Sequence, residues 1–254
     1  MQIHLPDLSA GIIVYMLVFA RVGAMVMLLP SIGDNGIPAR VRLILALAIS
    51  FALTPTVAGS YPQTAPATAT ALSILVAQET TIGILVGAMA RIIMSALHVA
   101  GFLIATQTGL AYAQTIDPTQ NTQGAVLGNF MTLLGTTLIF LTNMHHLAIG
   151  AIAGSYKMLP PGGTLPTGDM AQLVINLVSS SFALGFQLAA PFLVFGFAMY
   201  AGLGVLARLM PQLQIFFVAV PLNIMCGFLL MMALLGSLMT VFLTYYSAQM
   251  AIFL

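Results

Sequence analysis

From Met170 to Ala207 the chain runs 38 residues without a charged side chain, and from Leu209 to Leu254 it runs another 46, with Arg208 alone between them. A soluble domain carries charge at about one position in four, whereas a bilayer core is crossed by about 20 apolar residues, so stretches like these belong in lipid. The whole chain shares the character, at 60% hydrophobic and 4% charged residues. Backbone polar groups in lipid must be satisfied by helices or closed barrels, and long apolar runs without period-two alternation select helix. The reading is an all-α integral membrane protein with about six hydrophobic segments, filling residues 1–254 as one membrane domain.

The two terminal stretches are each long for one crossing and short for two joined by a loop. Their helices must be kinked, folded into tight hairpins, or extended beyond the hydrocarbon, and Pro191 and Pro221 mark where bending is easiest. Earlier segments are bounded more clearly. The first runs from about Leu8 to Pro30 and ends at "PSIGDNGIPARVR"; the second runs from about Leu43 and stops at Pro55; the third runs from about Ala71 to Thr106 and holds Glu79, Arg91 and His98. "QTGLAYAQTIDPTQNTQG" then reads as a loop, followed by an apolar run from Gly124 to about Tyr156. With no tryptophan in the chain, interfacial anchoring falls to tyrosines such as Tyr15, Tyr61, Tyr112, Tyr156, Tyr200, Tyr245 and Tyr246.

Little in this sequence supports catalysis. Five acidic residues and four histidines are scattered over most of its length, with no paired carboxylates and no zinc, serine-nucleophile or phosphate-loop motif, so neither an enzyme nor a metal or cofactor site is expected. The net charge of +1 excludes electrostatic binding of nucleic acid. Adjacent His145 and His146 point about 100° apart on a helix, which suits a helix end better than a shared ion. Cys226 reads as a packing residue.

Glu79 and Arg91 are ionisable groups inside an apolar run, where each needs a partner or a cavity. On one straight helix they lie about 18 Å apart along the axis and cannot pair with each other. Each therefore needs water, a different segment or another subunit; a structural pair between subunits outweighs a proton relay through Glu79. Gly83 and Gly87 form a GxxxG face for close helix packing, within the chain or against partners. The methionines of "IMCGFLLMMALLGSLM" read as core, with a deformable seal as the alternative.

The order of five motifs carries a resemblance: "LLPSIGDNGIPARVRLILALAISFALTP", "QETTIGILVGAMA", "QTGLAYAQTIDPTQNTQGAVLGNF", "LTNMHHLAI" and "RLMPQLQIFFVAVPLNI". In sequence and spacing they resemble the FliR family of type III export gate subunits over nearly the whole chain. The resemblance implies a non-enzymatic, single-copy subunit built from helical hairpins. It would be wound with FliP and FliQ into a helical hetro-oligomeric gate in the bacterial inner membrane at the flagellar basal body, contacted by FlhB and FlhA. Unfolded flagellar proteins would be the cargo and membrane lipid the surroundings.

By the same resemblance, residues from about Gln107 to Gly124 look like the family's pore plug, with Gln107, Gly109, Leu110, Tyr112, Gln114, Ile116, Asp117, Pro118, Gln120 and Gln123 as its residues. Ala125 departs from the pattern, the family often having proline there. Arg40, Arg42, Glu79, Arg91, Pro211, Gln212, Gln214, Phe216, Pro221 and Asn223 are the expected assembly contacts. Gln212, Gln214 and Asn223 would hydrogen-bond between subunits instead of facing lipid. Two other readings compete: the equivalent subunit of a virulence injectisome, and a proton-coupled small-solute transporter using Glu79, Arg91 and His98.

Overall fold

The computed structural model describes residues 5–30, 32–33, 36–61, 68–110, 126–210, 212 and 215–254. Seven α-helices account for most of them: α1 (Leu5–Leu28), α2 (Ala39–Val57), α3 (Ala69–Gln107), α4 (Val126–Leu141), α5 (His145–Met158), α6 (Thr167–Leu209) and α7 (Ile215–Met250). Short 3-10 turns follow α2 at Ala58–Ser60 and α7 at Ala251–Phe253, and no strand occurs among the described residues. Five of the helices are long and apolar enough to cross a membrane, and α4 with α5, bent by 78° at a short break, forms a sixth candidate if counted as one span. The all-α membrane architecture is as the apolar runs require.

Three features refine the sequence reading. α2 starts at Ala39 and carries Pro55 in its last turn. Near a helix end the missing proline N–H removes only one bond, and the hydroxyls of Ser50 and Thr54 fold back onto the carbonyls of Ala46 and Ser50 at 2.6 and 2.7 Å. Second, α6 and α7 are unbroken helices of 43 and 36 residues with Pro191 and Pro221 inside them, so each long uncharged stretch is extended and not folded into a hairpin. Third, three of the tyrosines expected as interfacial anchors, Tyr61, Tyr156 and Tyr246, are buried, whereas Tyr200 is exposed. Tyr245 shares hydrogen bonds with Ser180 and Ser181 at 2.7 and 3.1 Å.

Packing divides the chain into two compact units, residues 1–93 with 140–177 and 247–254, and residues 94–139 with 178–246. The boundaries fall inside helices, so these are parts of continuous helices and not domains on linkers. In the first unit, α1 and the N-terminal part of α3 run parallel in close contact. A Cβ at Gly83 would collide with the Arg21 carbonyl and Ala24, and one at Gly87 with Leu28 and Met25. The small face of α3 thus serves folding within the chain, around a core that includes Val18, Val22, Ile82 and Val86. Gly154 of α5 lies against the Phe253 carbonyl in the same way.

In the second unit, the C-terminal part of α3 meets α4 backbone to backbone where Gly101 faces Gly128, and Gly185 of α6 receives Val99. Leu97, Met131, Phe192 and Phe242 are among its buried residues.

Candidate functional site

The glycine contact between α1 and α3 decides what sits opposite what. One turn before Gly83, the same face of α3 carries Glu79, and the same close approach brings it onto Arg21 of α1. The guanidinium and carboxylate meet as a fork: Arg21 Nε donates to Glu79 Oε2 at 2.6 Å and Nη2 to Oε1 at 2.9 Å. Arg21 is 1% and Glu79 0% exposed. A buried charge is tolerable only when its other donors and acceptors find partners, and further groups of the chain supply them here. Arg21 Nη1 donates to Ser155 Oγ at 3.3 Å and Nη2 to the Leu159 carbonyl at 3.0 Å. The Tyr61 hydroxyl donates to Glu79 Oε2 at 3.1 Å, and the Tyr156 ring lies under the guanidinium, 4.0 Å from its carbon.

Four segments therefore converge: α1, α3, the turn after α2, and the end of α5. Tyr61, just past the α2 span, has its phenol pushed well above the ordinary value, by burial first and then by the neighbouring Tyr156 and Glu79. It remains a donor to the carboxylate. With both Glu79 oxygens engaged and no solvent contact, the cluster binds its own chain together and presents no acid, base or nucleophile to a substrate.

A second set of contacts holds the end of α3 in the other unit. Asn223 Nδ2 of α7 donates to the Gln107 carbonyl at 3.0 Å, an orphan acceptor of the helix end. The Gln107 side chain packs where Gly196 lacks one, and Thr108 does the same at Gly227. Gly109 follows with φ 77°, the left-handed turn that commonly ends a helix. Beyond it, Leu110 and Val126 border an apolar cavity of about 360 Å³, lined also by Leu127, Phe130, Phe228, Met231, Met232 and Leu235.

The expected site residues are placed as follows. Gln107, Gly109 and Leu110 form the anchored start of the 107–124 segment; Tyr112, Gln114, Ile116, Asp117, Pro118, Gln120 and Gln123 lie outside the described residues. Arg40 is exposed at the start of α2, while Arg42 Nη1 donates to the Gly33 carbonyl at 3.2 Å. Arg91 is exposed on α3, Pro221 on α7, and Gln212 in the turn between α6 and α7. Pro211 and Gln214 lie outside the described residues, as does the side chain of Phe216.

Two expectations of intersubunit bonding change. Glu79 has its partner within the chain, and Asn223 uses its amide nitrogen within the chain, although its Oδ1 is buried without a hydrogen-bond partner. Arg21, Tyr61, Ser155 and Tyr156 are the residues that sequence reasoning missed. Opposite charges at Arg21 in the first apolar run and Glu79 in the third were the available signal. Among the described residues, no group of three or more His, Cys, Asp or Glu side chains is arranged to hold a metal. His145 instead opens α5, stacked on Phe140 with ring centres 5.1 Å apart.

Residues 12–248 match the model of "Bacterial export proteins, family 1". The chain is 40% identical to the flagellar biosynthetic protein FliR of Caulobacter vibrioides over 93% of its length and 94% of the relative's. It is 32% identical to the FliR of Escherichia coli over 85% of this chain and 81% of that one. The Yop proteins translocation protein T of Yersinia pestis is 29% identical over 60% of this chain and 59% of its own. The chain belongs to family 1 of the bacterial export proteins, the family of FliR, as a membrane component of the flagellar export apparatus.

Proposed function

We propose that the chain is a structural and gating subunit of the flagellar type III export gate, forming with FliP and FliQ the inner-membrane pore through which unfolded flagellar proteins pass. FlhB and FlhA are further contacts, and the basal body is the site of assembly. The observation that carries this reading is the surface of α6. Ile175, Phe182, Phe186, Val194, Phe197, Val205 and Leu209 are all exposed along this one helix. From 175 to 209 the row measures about 51 Å at 1.5 Å per residue, against about 30 Å of hydrocarbon. Tilt alone would need to reach about 54°, beyond the 0–40° range of membrane helices. Part of this exposed apolar surface calls for apolar cover other than lipid, which sister subunits of a gate supply.

The plug role of residues 107–124 rests on the family resemblance and on composition, a run of Gly, Ala, Thr and Gln with one charge. Its anchored start at Gln107 and Thr108 is consistent with a segment that must be held at its base. The injectisome reading is weaker, since the flagellar relatives are matched over more of the chain than the Yersinia protein. The transporter reading needs an accessible Glu79, and both its oxygens are occupied in a closed cluster.

Deleting the gene should abolish flagellar secretion and motility, and the intact chain should restore both. Removing residues Gly109 to Thr122 should let small ions leak through the assembled complex. An unaltered ion permeability with the complex assembled would remove the plug assignment. Solute uptake by the reconstituted chain alone, stopped by Glu79→Gln, would favour the transporter instead.

A further inference from the structure

Most hydroxyls on these helices are satisfied locally. Ser50, Thr80, Thr132, Thr137 and Thr240 each return to the carbonyl four residues earlier. Such bonds form in a single helix and say nothing about its neighbours. The Arg21–Glu79 pair is different in kind. Its partners lie 58 positions apart, on α1 and α3, with the whole of α2 between them in the chain. Until they meet, α1 carries an unpaired cation and α3 an unpaired anion inside apolar helices, each costly in lipid. Once they meet, the charges cancel and the fork is completed by Tyr61, Ser155 and the Leu159 carbonyl.

We propose that Arg21 and Glu79 form a latch that makes the correct pairing of α1 with α3 obligatory. Any alternative neighbour for α1 leaves both charges buried and unpaired, so the pair excludes the wrong arrangements that greasy, glycine-rich helices would otherwise tolerate. The glycines at 83 and 87 permit close approach; the ion pair selects which approach is kept. The latch closes within this chain, and its consequence for the gate, that only latched chains are competent to meet partners, rests on the function proposed above.

The test uses the full chain expressed in bacterial membranes, with R21M, E79M, the R21M/E79M double and the reversed R21E/E79R double. The readout is the amount of chain that elutes in a single sharp species in mild detergent, counting the chain within any complex it forms with partner subunits. Each single variant, stranding one charge, should lower that amount by about tenfold. A double variant, stranding none, should recover to within about twofold of the parent chain. Single variants that match the parent overturn the latch. So does failure of both double variants to exceed the worse single variant, because the two residues would then act separately. Secretion is scored in parallel: loss of the export role would leave the folding pattern standing, and an additive folding pattern would leave the export role standing.

Discussion

A methyl group at position 83 would press into the Arg21 carbonyl, whereas one at position 202 would meet nothing within 4 Å. These two glycines therefore answer opposite questions. Gly83→Val should cost about 1–3 kcal/mol or more, since backbone has no rotamer to yield. Gly202→Ala should be neutral or stabilising by up to about 1 kcal/mol through helix propensity. Thermal unfolding of the two variants in the same detergent checks the contrast. At the charge cluster, Tyr61→Phe removes a hydrogen bond to a carboxylate and should cost about 1.5–3 kcal/mol. Because the Tyr61 phenol is raised in the folded chain, the folded state keeps a proton that the unfolded state loses. Its contribution is complete below about pH 10 and falls as pH rises further. Unfolding measured from pH 8 upward should show an alkaline loss of stability that is shallower in Tyr61→Phe; identical slopes would assign that loss to other groups. The GxxxG face was legible because spacing alone defines it. The Arg21–Glu79 pair was not, since it depends on which helices become neighbours, and periodicity within a helix carries no such information.

At the scale of the element, α3 explains much of the arrangement. It runs 39 residues, about 58 Å, without a break. Its first part is fixed by α1 through glycine and charge, and its last turn by Asn223 through a helix-end carbonyl 116 positions away in sequence. Asn223→Ala should therefore cost about 1 kcal/mol by leaving the part-buried Gln107 carbonyl without its helix-end partner. Its effect should be concentrated at residues 104–110, where hydrogen exchange in detergent should speed up relative to residues 80–90. Uniform exchange along α3 would contradict this. The lengths of α6 and α7 were legible as an excess over one crossing, but the choice between hairpin and extension was not. Pro191 and Pro221 are compatible with either, because a membrane helix can absorb a proline when neighbours re-satisfy the freed carbonyl. Pro55 likewise reads as a stop from sequence, yet near a helix end it removes only one bond.

At the scale of the whole molecule, two observations point the same way. The Arg21–Glu79 pair of the first unit finds its partners inside the chain, so this pair places no demand on lipid or partner. The exposed apolar side chains of α6, by contrast, are spread over about 51 Å of helix, against about 30 Å of hydrocarbon. The central claim is that this surface is covered by sister subunits of an export gate. The measurement that tests it most directly is purification of the tagged full chain from its native membrane in mild detergent, with the mass and composition of the eluted species determined. The chain should elute as part of a stoichiometric complex containing FliP and FliQ, and Phe186→Glu with Phe197→Glu should release it. A monodisperse, stable single chain, unaccompanied and unchanged by those substitutions, would contradict the account.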